Sequence, residues 1–313
     1  MYTTEQEIED FLQEYSRSKI VVPATVRATL NRAIEFEYKF NKPFHLFTVD
    51  EALKMYQSIH AVSVVSLQNM NLLLKNAARW MRYKNGGTVD SAYEKITKDM
   101  LETAVDKEKQ KSLILSKDDV ESLMDQLLNW TDRAILFLLF EGVDGYLLDQ
   151  LTFMKWEQVS HNDLKVYLRN GDTIDITESD YEMLKKGFYE DELISYGSTA
   201  RVAKVRSLGL YKVRANSLSD NDNPEDNADV ERRYRFITRR LALVSKDLGV
   251  KLSPSILQTS GLLWYIQQGM KEAGMNFREF TATEACFEIA KRYSIRSTLY
   301  TQIVRDKLEK YFV

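Results

Sequence analysis

Apolar residues recur at intervals of three and four through most of this 313-residue chain, and little interrupts them. Only four prolines (Pro23, Pro43, Pro224 and Pro254) and 12 glycines occur in the whole length. Both residue types are costly inside a helix, so a chain this poor in them, with that period, is committed to a mostly helical fold.

Start and stop signals divide the helices. Thr3 or Thr4 caps "EQEIEDFLQEY", with acids in the first turn, and Pro23 opens "PATVRATLNRAIEFEYKF". Thr48 and Glu51 form a capping box before "EALKMYQSI", and "SVVSLQNMNLLLKNAARWMRYKN" stops at Gly86-Gly87. Four helices in residues 1–87 predict a small bundle. Residues 88–115 are charged and lose their apolar face in the later half, which predicts a linker. A second helical domain then opens with Ser116 as cap and Asp119 as its partner, and runs to residue 313. "RAILFLLF" is apolar on every side, as a buried helix must be. One hairpin is expected, "LKVYLRNGDTIDIT", turning at Asn170-Gly171. The last helices follow the polar loop "SDNDNPEDNAD": one ends at Gly249, and the next starts at Ser253-Pro254. No internal repeat is visible.

The length favours two domains over one core. One cysteine, Cys286, excludes an intrachain disulfide, argues against a cysteine metal site and fits a reducing cytoplasm. No apolar run is long enough to span a bilayer, and "MYTTEQEIEDFLQEY" is too acidic for a signal peptide. The three histidines, His45, His60 and His161, are too scattered for a metal centre, and no glycine-rich phosphate loop appears. No cofactor and no metal are therefore expected. The net charge of −3 argues weakly against a polyanionic partner, but local patches matter more than the sum.

The order of pieces after residue 115 resembles the catalytic domain of the tyrosine recombinases, the phage integrase family. "LSKDDVESLMDQL" resembles the domain entry, and "DRAILFLLFEG" its buried first long helix. "LLDQLTFMKWEQV" resembles the helix after the first catalytic arginine. "VKLSPSILQTSGLLWYIQQGM" resembles the segment carrying the His-x-x-Arg box, and "AKRYSIRSTLYTQIVRDKLEKYF" the region of the nucleophilic tyrosine. The resemblance covers nearly the whole chain. It implies an N-terminal core-binding (SAM-like) helical domain and a C-terminal recombinase-like domain with a small β-sheet.

That reaction attacks a phosphodiester with a tyrosine hydroxyl, while two arginines hold the non-bridging oxygens and histidines and a lysine manage protons. This chain departs from the pattern. Leu147 or Asp144, depending on register, takes the first arginine's place, and residues 134–168 contain no arginine. Ser255 stands for the histidine and Gln258 for the second arginine, and no histidine follows residue 161. Tyr300 is the candidate nucleophile, with Tyr293 and Tyr311 as alternatives, and Lys165 lies on the strand where the family keeps its lysine. A phenol with a pKa near 10 is a weak nucleophile without its clamps. The expectation is a degenerate, non-enzymatic member.

Basic stretches remain. "KNAARWMRYK" places Lys75, Arg79, Arg82 and Lys84 largely on one helix side, with Arg27 and Arg32 from the preceding helix. "STARVAKVRSLGLYKVR" carries Arg201, Lys204, Arg206, Lys212 and Arg214 without an acid, and Ser195, Ser198 and Thr199 suit phosphate contacts. "ERRYRFITRR" adds Arg232, Arg239 and Arg240, beside Arg233 and Arg235, although the preceding acidic loop offers intramolecular partners. "KRYSIR" adds Lys291, Arg292 and Arg296. The four tryptophans are expected in cores. The resulting expectation is a sequence-specific repressor of phage genes that clamps double-stranded DNA between two domains, with no membrane partner. Self-association or relief by a small regulatory protein or peptide stays open, as do an active recombinase with displaced groups and a protein-interaction module without DNA binding. The C-terminal segment "RSTLYTQIVRDKLEKYF" has the spacing to dock on a neighbouring copy or on its own core.

Overall fold

The computed structural model describes residues 2–18, 23–87, 90–197, 201–215 and 226–312. The chain divides into two compact units, Met1–Ser112 and Leu113–Val313. It is mostly helical, with two small three-stranded antiparallel sheets.

The first unit holds α1 (Glu5–Ser18), α2 (Pro23–Phe40), α3 (Val49–Ser58) and α4 (Val64–Lys84), then the short α5 (Lys98–Thr103) and α6 (Lys107–Lys111). In α4, Leu67, Met70, Leu74, Ala77, Ala78 and Met81 recur at helical spacing and are buried, which packs one stripe of the helix into the core. The Thr48–Glu51 capping box forms as expected. Glu37, fully buried, accepts the backbone N–H groups of Thr3 and Phe44, both at 2.8 Å, and so ties the chain start to the turn after α2.

The span read as a linker is largely built into this unit. Tyr93, Ile96, Leu101 and Ala104 are buried in the same core, and Asn71 donates to the Tyr93 carbonyl at 3.1 Å. Their apolar pattern is split between a 3₁₀ turn and a short helix, so no single helical period reveals it.

The second unit opens with α7 (Lys117–Gln126), whose Ser116–Asp119 capping box is present, and α8 (Trp130–Phe140). Nine of the 11 residues of α8 are buried, so it runs through the middle of the core. After α9 (Asp149–Thr152) come β1 (Val159–Ser160), β2 (Lys165–Tyr167) and β3 (Thr173–Asp175). Val166 pairs with Ile174, both fully buried. The β2–β3 turn is longer than a two-residue Asn-Gly loop: the Gly171 N–H donates to Leu168 O at 3.0 Å and Leu168 N–H to Asp172 O at 2.9 Å. Gly171, at φ +86°, supplies the left-handed residue that this bulged turn requires.

Then follow α10 (Glu178–Tyr189), β4 (Glu192–Ile194), β5 (Val202–Leu208), β6 (Tyr211–Arg214), α11 (Asn227–Leu248) and α12 (Pro254–Ala273), and finally α13 (Phe277–Phe280), α14 (Glu284–Arg292) and α15 (Tyr300–Leu308). The second sheet, in the order β4-β5-β6, comes in addition to the one hairpin that the sequence predicts. Helix α15 docks on its own unit, with Val304 and Leu308 buried against Leu262, Ile266 and Phe280. Helix α12 passes close to α8, and Gly261 makes this possible: a Cβ there would sit 1.8 Å from the Phe140 carbonyl oxygen. The four tryptophans are half-buried; Trp80, Trp156 and Trp264 pack against the cores.

Candidate nucleic-acid interface

The segments that carry the family's chemistry do come together. The Gln258 amide donates to the Val143 carbonyl at 3.2 Å, joining the first turns of α12 to the loop that leaves α8. In that loop Leu147 and Leu148 lie in the left-handed region, at φ +49° and +60°, a costly conformation for a leucine. Ser255 is exposed on the first turn of α12. The cation beside the loop is one the alignment does not supply. Arg292 donates to the Glu141 carbonyl at 2.6 Å, pairs with the Glu141 carboxylate and stacks on Tyr265, whose hydroxyl donates to Glu141 at 2.6 Å. Burial pulls the Arg292 pKa down, and its charge is already matched. On the other side, the negative charge of Asp144 faces Lys307, whose pKa burial lowers.

Two of the candidate tyrosines are hydrogen-bonded to backbone carbonyls. Tyr300 donates its hydroxyl to the Thr283 carbonyl at 3.0 Å, and Tyr293 to the Phe140 carbonyl at 2.6 Å. Burial drives the Tyr293 pKa up, away from the phenolate a nucleophile needs, and acts in the same direction on the half-buried Tyr311. Lys165 pairs with Asp175 across the hairpin at 3.4 Å, and His161 with Glu178 at 2.8 Å. Among the described residues no cluster of histidine, cysteine or carboxylate side chains is placed to hold a metal.

The basic residues sort into three kinds. Two are buried, and their reading as surface contacts is corrected. Arg240, 8% exposed, donates Nε to Asp132 at 2.8 Å and makes a second contact with the same carboxylate, over the Tyr196 ring. Lys212, 4% exposed, donates to the Phe188 carbonyl and to Ser207 Oγ, both at 2.8 Å. Others are on the surface but held. Arg27 lies between Glu5 and Glu9, which raise its pKa, and Arg79 pairs with Glu94 at 2.8 Å. Arg82 donates Nε to the His45 carbonyl at 2.9 Å and also bonds the Asp90 carbonyl, and Arg232 pairs with Asp229.

The third kind has no ion-pair partner among the described residues: Arg32, Lys75, Lys84, Arg201, Lys204, Arg214 and Arg239. Lys75 is half-buried, the other six are exposed, and Lys84 also lies 5.1 Å over the Trp80 ring. Lys204 and the exposed Arg206 share one face of β5, while Arg214 pairs opposite Val205 and faces the other way. Val202, 60% exposed, shares the face of Lys204. Ser198 and Thr199 lie outside the described residues; Ser195 Oγ accepts the Arg201 N–H at 2.8 Å.

Residues 114–313 match the family model described as "MrpR, C-terminal catalytic domain". The chain belongs to that family. The MrpR-type domain is tyrosine-recombinase-like, and its span coincides almost residue for residue with the second structural unit. The chain is also similar to the SPbeta prophage-derived uncharacterized protein YopR of Bacillus subtilis (strain 168), 21% identical over 290 residues, covering 88% of this chain and 87% of that protein. No helix among the described residues is long and apolar enough to cross a membrane.

Two features of this MrpR-type domain escaped the sequence reading. One is the Glu141–Arg292–Tyr265 lock. The other is Arg233, fully buried, paired with Asp229 at 3.1 Å, bonded to the Thr152 carbonyl at 3.0 Å and packed on the Phe153 and Tyr211 rings. A signal existed for Arg233 and Arg240: both fall on the apolar stripe of α11.

Proposed function

We propose that this chain is a sequence-specific binder of duplex DNA that represses phage or prophage genes on a recombinase-like frame without cutting the strand. The observation that carries the reading is a contrast. The positions matching the phosphate clamp hold Leu147 or Asp144, Ser255 and Gln258, while exposed cations without an ion-pair partner among the described residues are kept on α2, α4, β5, β6 and α11. Two arginines and a histidine act as a unit in such chemistry, so losing all three costs many orders of magnitude in rate. A phosphate-binding surface needs only positive charge and a rigid support. The similarity to a prophage-derived protein agrees with a role in phage gene control.

The test is selection of binding sites from phage DNA, followed by footprinting. The expected result is protection of a defined site, with affinity falling steeply as salt rises. Failure to retain any duplex at low salt would leave a protein-interaction module as the better reading. The family description calls its domain catalytic, and this favours a second reading, an active recombinase. A nicked suicide substrate decides between them: a covalent adduct that Tyr300→Phe abolishes would establish cleavage and end the repressor-only account.

A further inference from the structure

At the tip of the β2–β3 hairpin, Asp172 reaches across the second unit to the end of α14 and the segment that follows it. Its carboxylate pairs with the Arg296 guanidinium and lies 4.0 Å from the Lys291 ammonium. The Asp172 side chain is only 11% exposed, whereas Arg296 and Lys291 are 42% and 38% exposed. Lys291 also has Glu288 at 3.5 Å. The two cations therefore open to solvent on one side and are capped by a carboxylate on the other.

Their surroundings place them beside the recombinase-like frame. A Cβ on Gly142 would meet the Arg292 carbonyl oxygen at 3.0 Å and the Tyr293 ring at 3.2 Å, so the 291–296 segment packs directly on the start of the loop that carries Asp144 and Leu147. Arg292 faces inward to Glu141, which leaves Lys291 and Arg296 as the outward cations of that segment. A carboxylate and a phosphodiester present the same pair of anionic oxygens to a guanidinium.

We propose that Lys291 and Arg296 form a binding site for a DNA phosphate, and that Asp172 occupies it in the unbound chain as an internal stand-in which the duplex displaces. The claim deepens the DNA-binding reading and rests on it. Asp172 then acts as a built-in competitor: it weakens binding to duplex of any sequence and leaves the discrimination between sequences to contacts elsewhere.

The experiment measures the affinity of the full chain for duplex DNA over a range of salt. Asp172→Asn keeps the turn's backbone bonds and removes the charge. It should tighten binding about 5- to 10-fold at low salt, the worth of a partly exposed ion pair of about 1 kcal/mol. The affinity-against-salt slope should steepen by about one, as for one more effective phosphate contact. The double variant Lys291→Gln/Arg296→Gln should weaken binding, and adding Asp172→Asn to it should restore nothing. Unchanged or weaker binding by Asp172→Asn, or the same gain in the absence of both cations, overturns the proposal while DNA binding itself stands. If the unmodified chain retains no duplex at all, the underlying reading falls first and this inference with it.

Discussion

Lys212 separates a structural cation from a proposed phosphate contact more sharply than any other residue here. It lies on β6 among the residues expected to meet DNA, yet it is buried and its ammonium is bonded to a carbonyl and a hydroxyl. Burial pushes its pKa down from 10.5 to about 8, against a small opposing pull from Glu190 and Asp191. A lysine lowered in the fold binds its proton more weakly than in the unfolded chain. The contribution of Lys212 to stability is therefore most favourable above pH 10.5, is lost as pH drops towards 8, and stays unfavourable below that. At about 1.4 kcal/mol per pH unit, the gap from 10.5 to about 8 amounts to about 3 kcal/mol.

Lys212→Met keeps the unbranched shape and removes the charge. It also loses two hydrogen bonds, worth about 1 kcal/mol each. The Phe188 carbonyl keeps a partner, because Ser207 Oγ donates to it at 2.5 Å. The variant should thus be about 1–2 kcal/mol more stable than the parent at pH 7 and less stable by a similar amount near pH 10.5, with the two curves crossing between. Urea unfolding of both proteins across this range, followed by tryptophan fluorescence, reads the difference directly, and groups common to both cancel. The variant should also bind duplex DNA with an unchanged salt slope, whereas Lys204→Gln should lose about 0.9 from it. Parallel stability curves, or a variant less stable at pH 7, would refute the burial argument; a shallower slope for Lys212→Met would refute its exclusion from the interface.

Arg240→Ala leaves Asp132, 1% exposed, without its guanidinium, and should cost about 3–5 kcal/mol by urea unfolding. The pair Arg240→Met with Asp132→Leu should recover most of that loss, and a cost below about 1 kcal/mol for the single change would contradict the buried pair. Gly261→Ala drives a methyl group into the Phe140 carbonyl and the Tyr293 hydroxyl, so the melting transition should fall by the equivalent of about 1–3 kcal/mol or more. The salt slope scales with the contacts made: the seven candidate cations without an ion-pair partner among the described residues account for a slope of about 6 by themselves, against about 13 if all 14 contacted phosphate.

The fold was legible where it rested on period and caps. The helices carried by Thr48, Ser116 and Ser253 start where those residues place them, and Gly249 ends α11 in the left-handed region. The sheet of β4–β6 was hidden because β4 and β6 are short and the longer β5 alternates only in part. Both faces of β6 are covered at Tyr211, Lys212 and Val213, so no period of two marks it. The gaps in the catalytic pattern were legible because absence needs no geometry: a chain without a histidine after residue 161 has no His-x-x-Arg box there. Which cations face solvent was not legible, since a sequence counts charges but does not pair them. Glu94 lies 15 residues from Arg79, Asp132 lies 108 from Arg240, and Asp172 lies 124 from Arg296.

Helix α11 shows how part of that information is recovered. Val230, Arg233, Ile237, Leu241 and Val244 follow one another at steps of three and four and are all buried, with Arg240 beside them. Two arginines thus sit where a core helix puts apolar side chains. A guanidinium reaches such a place only with its charge matched and its plane covered, which Asp229 and Asp132, with the Phe153, Tyr211 and Tyr196 rings, provide. The arginines off that stripe, Arg232, Arg235 and Arg239, are the exposed ones, and Arg232 and Arg235 already have acids one turn earlier. A stretch that reads as ten residues of DNA-binding charge therefore resolves into two pins that hold the helix to its core, two locally paired side chains and Arg239. The stretch most basic in sequence thus leaves only Arg239 exposed without an ion-pair partner among the described residues, whereas the acid-free stretch 201–214 leaves Arg201, Lys204 and Arg214.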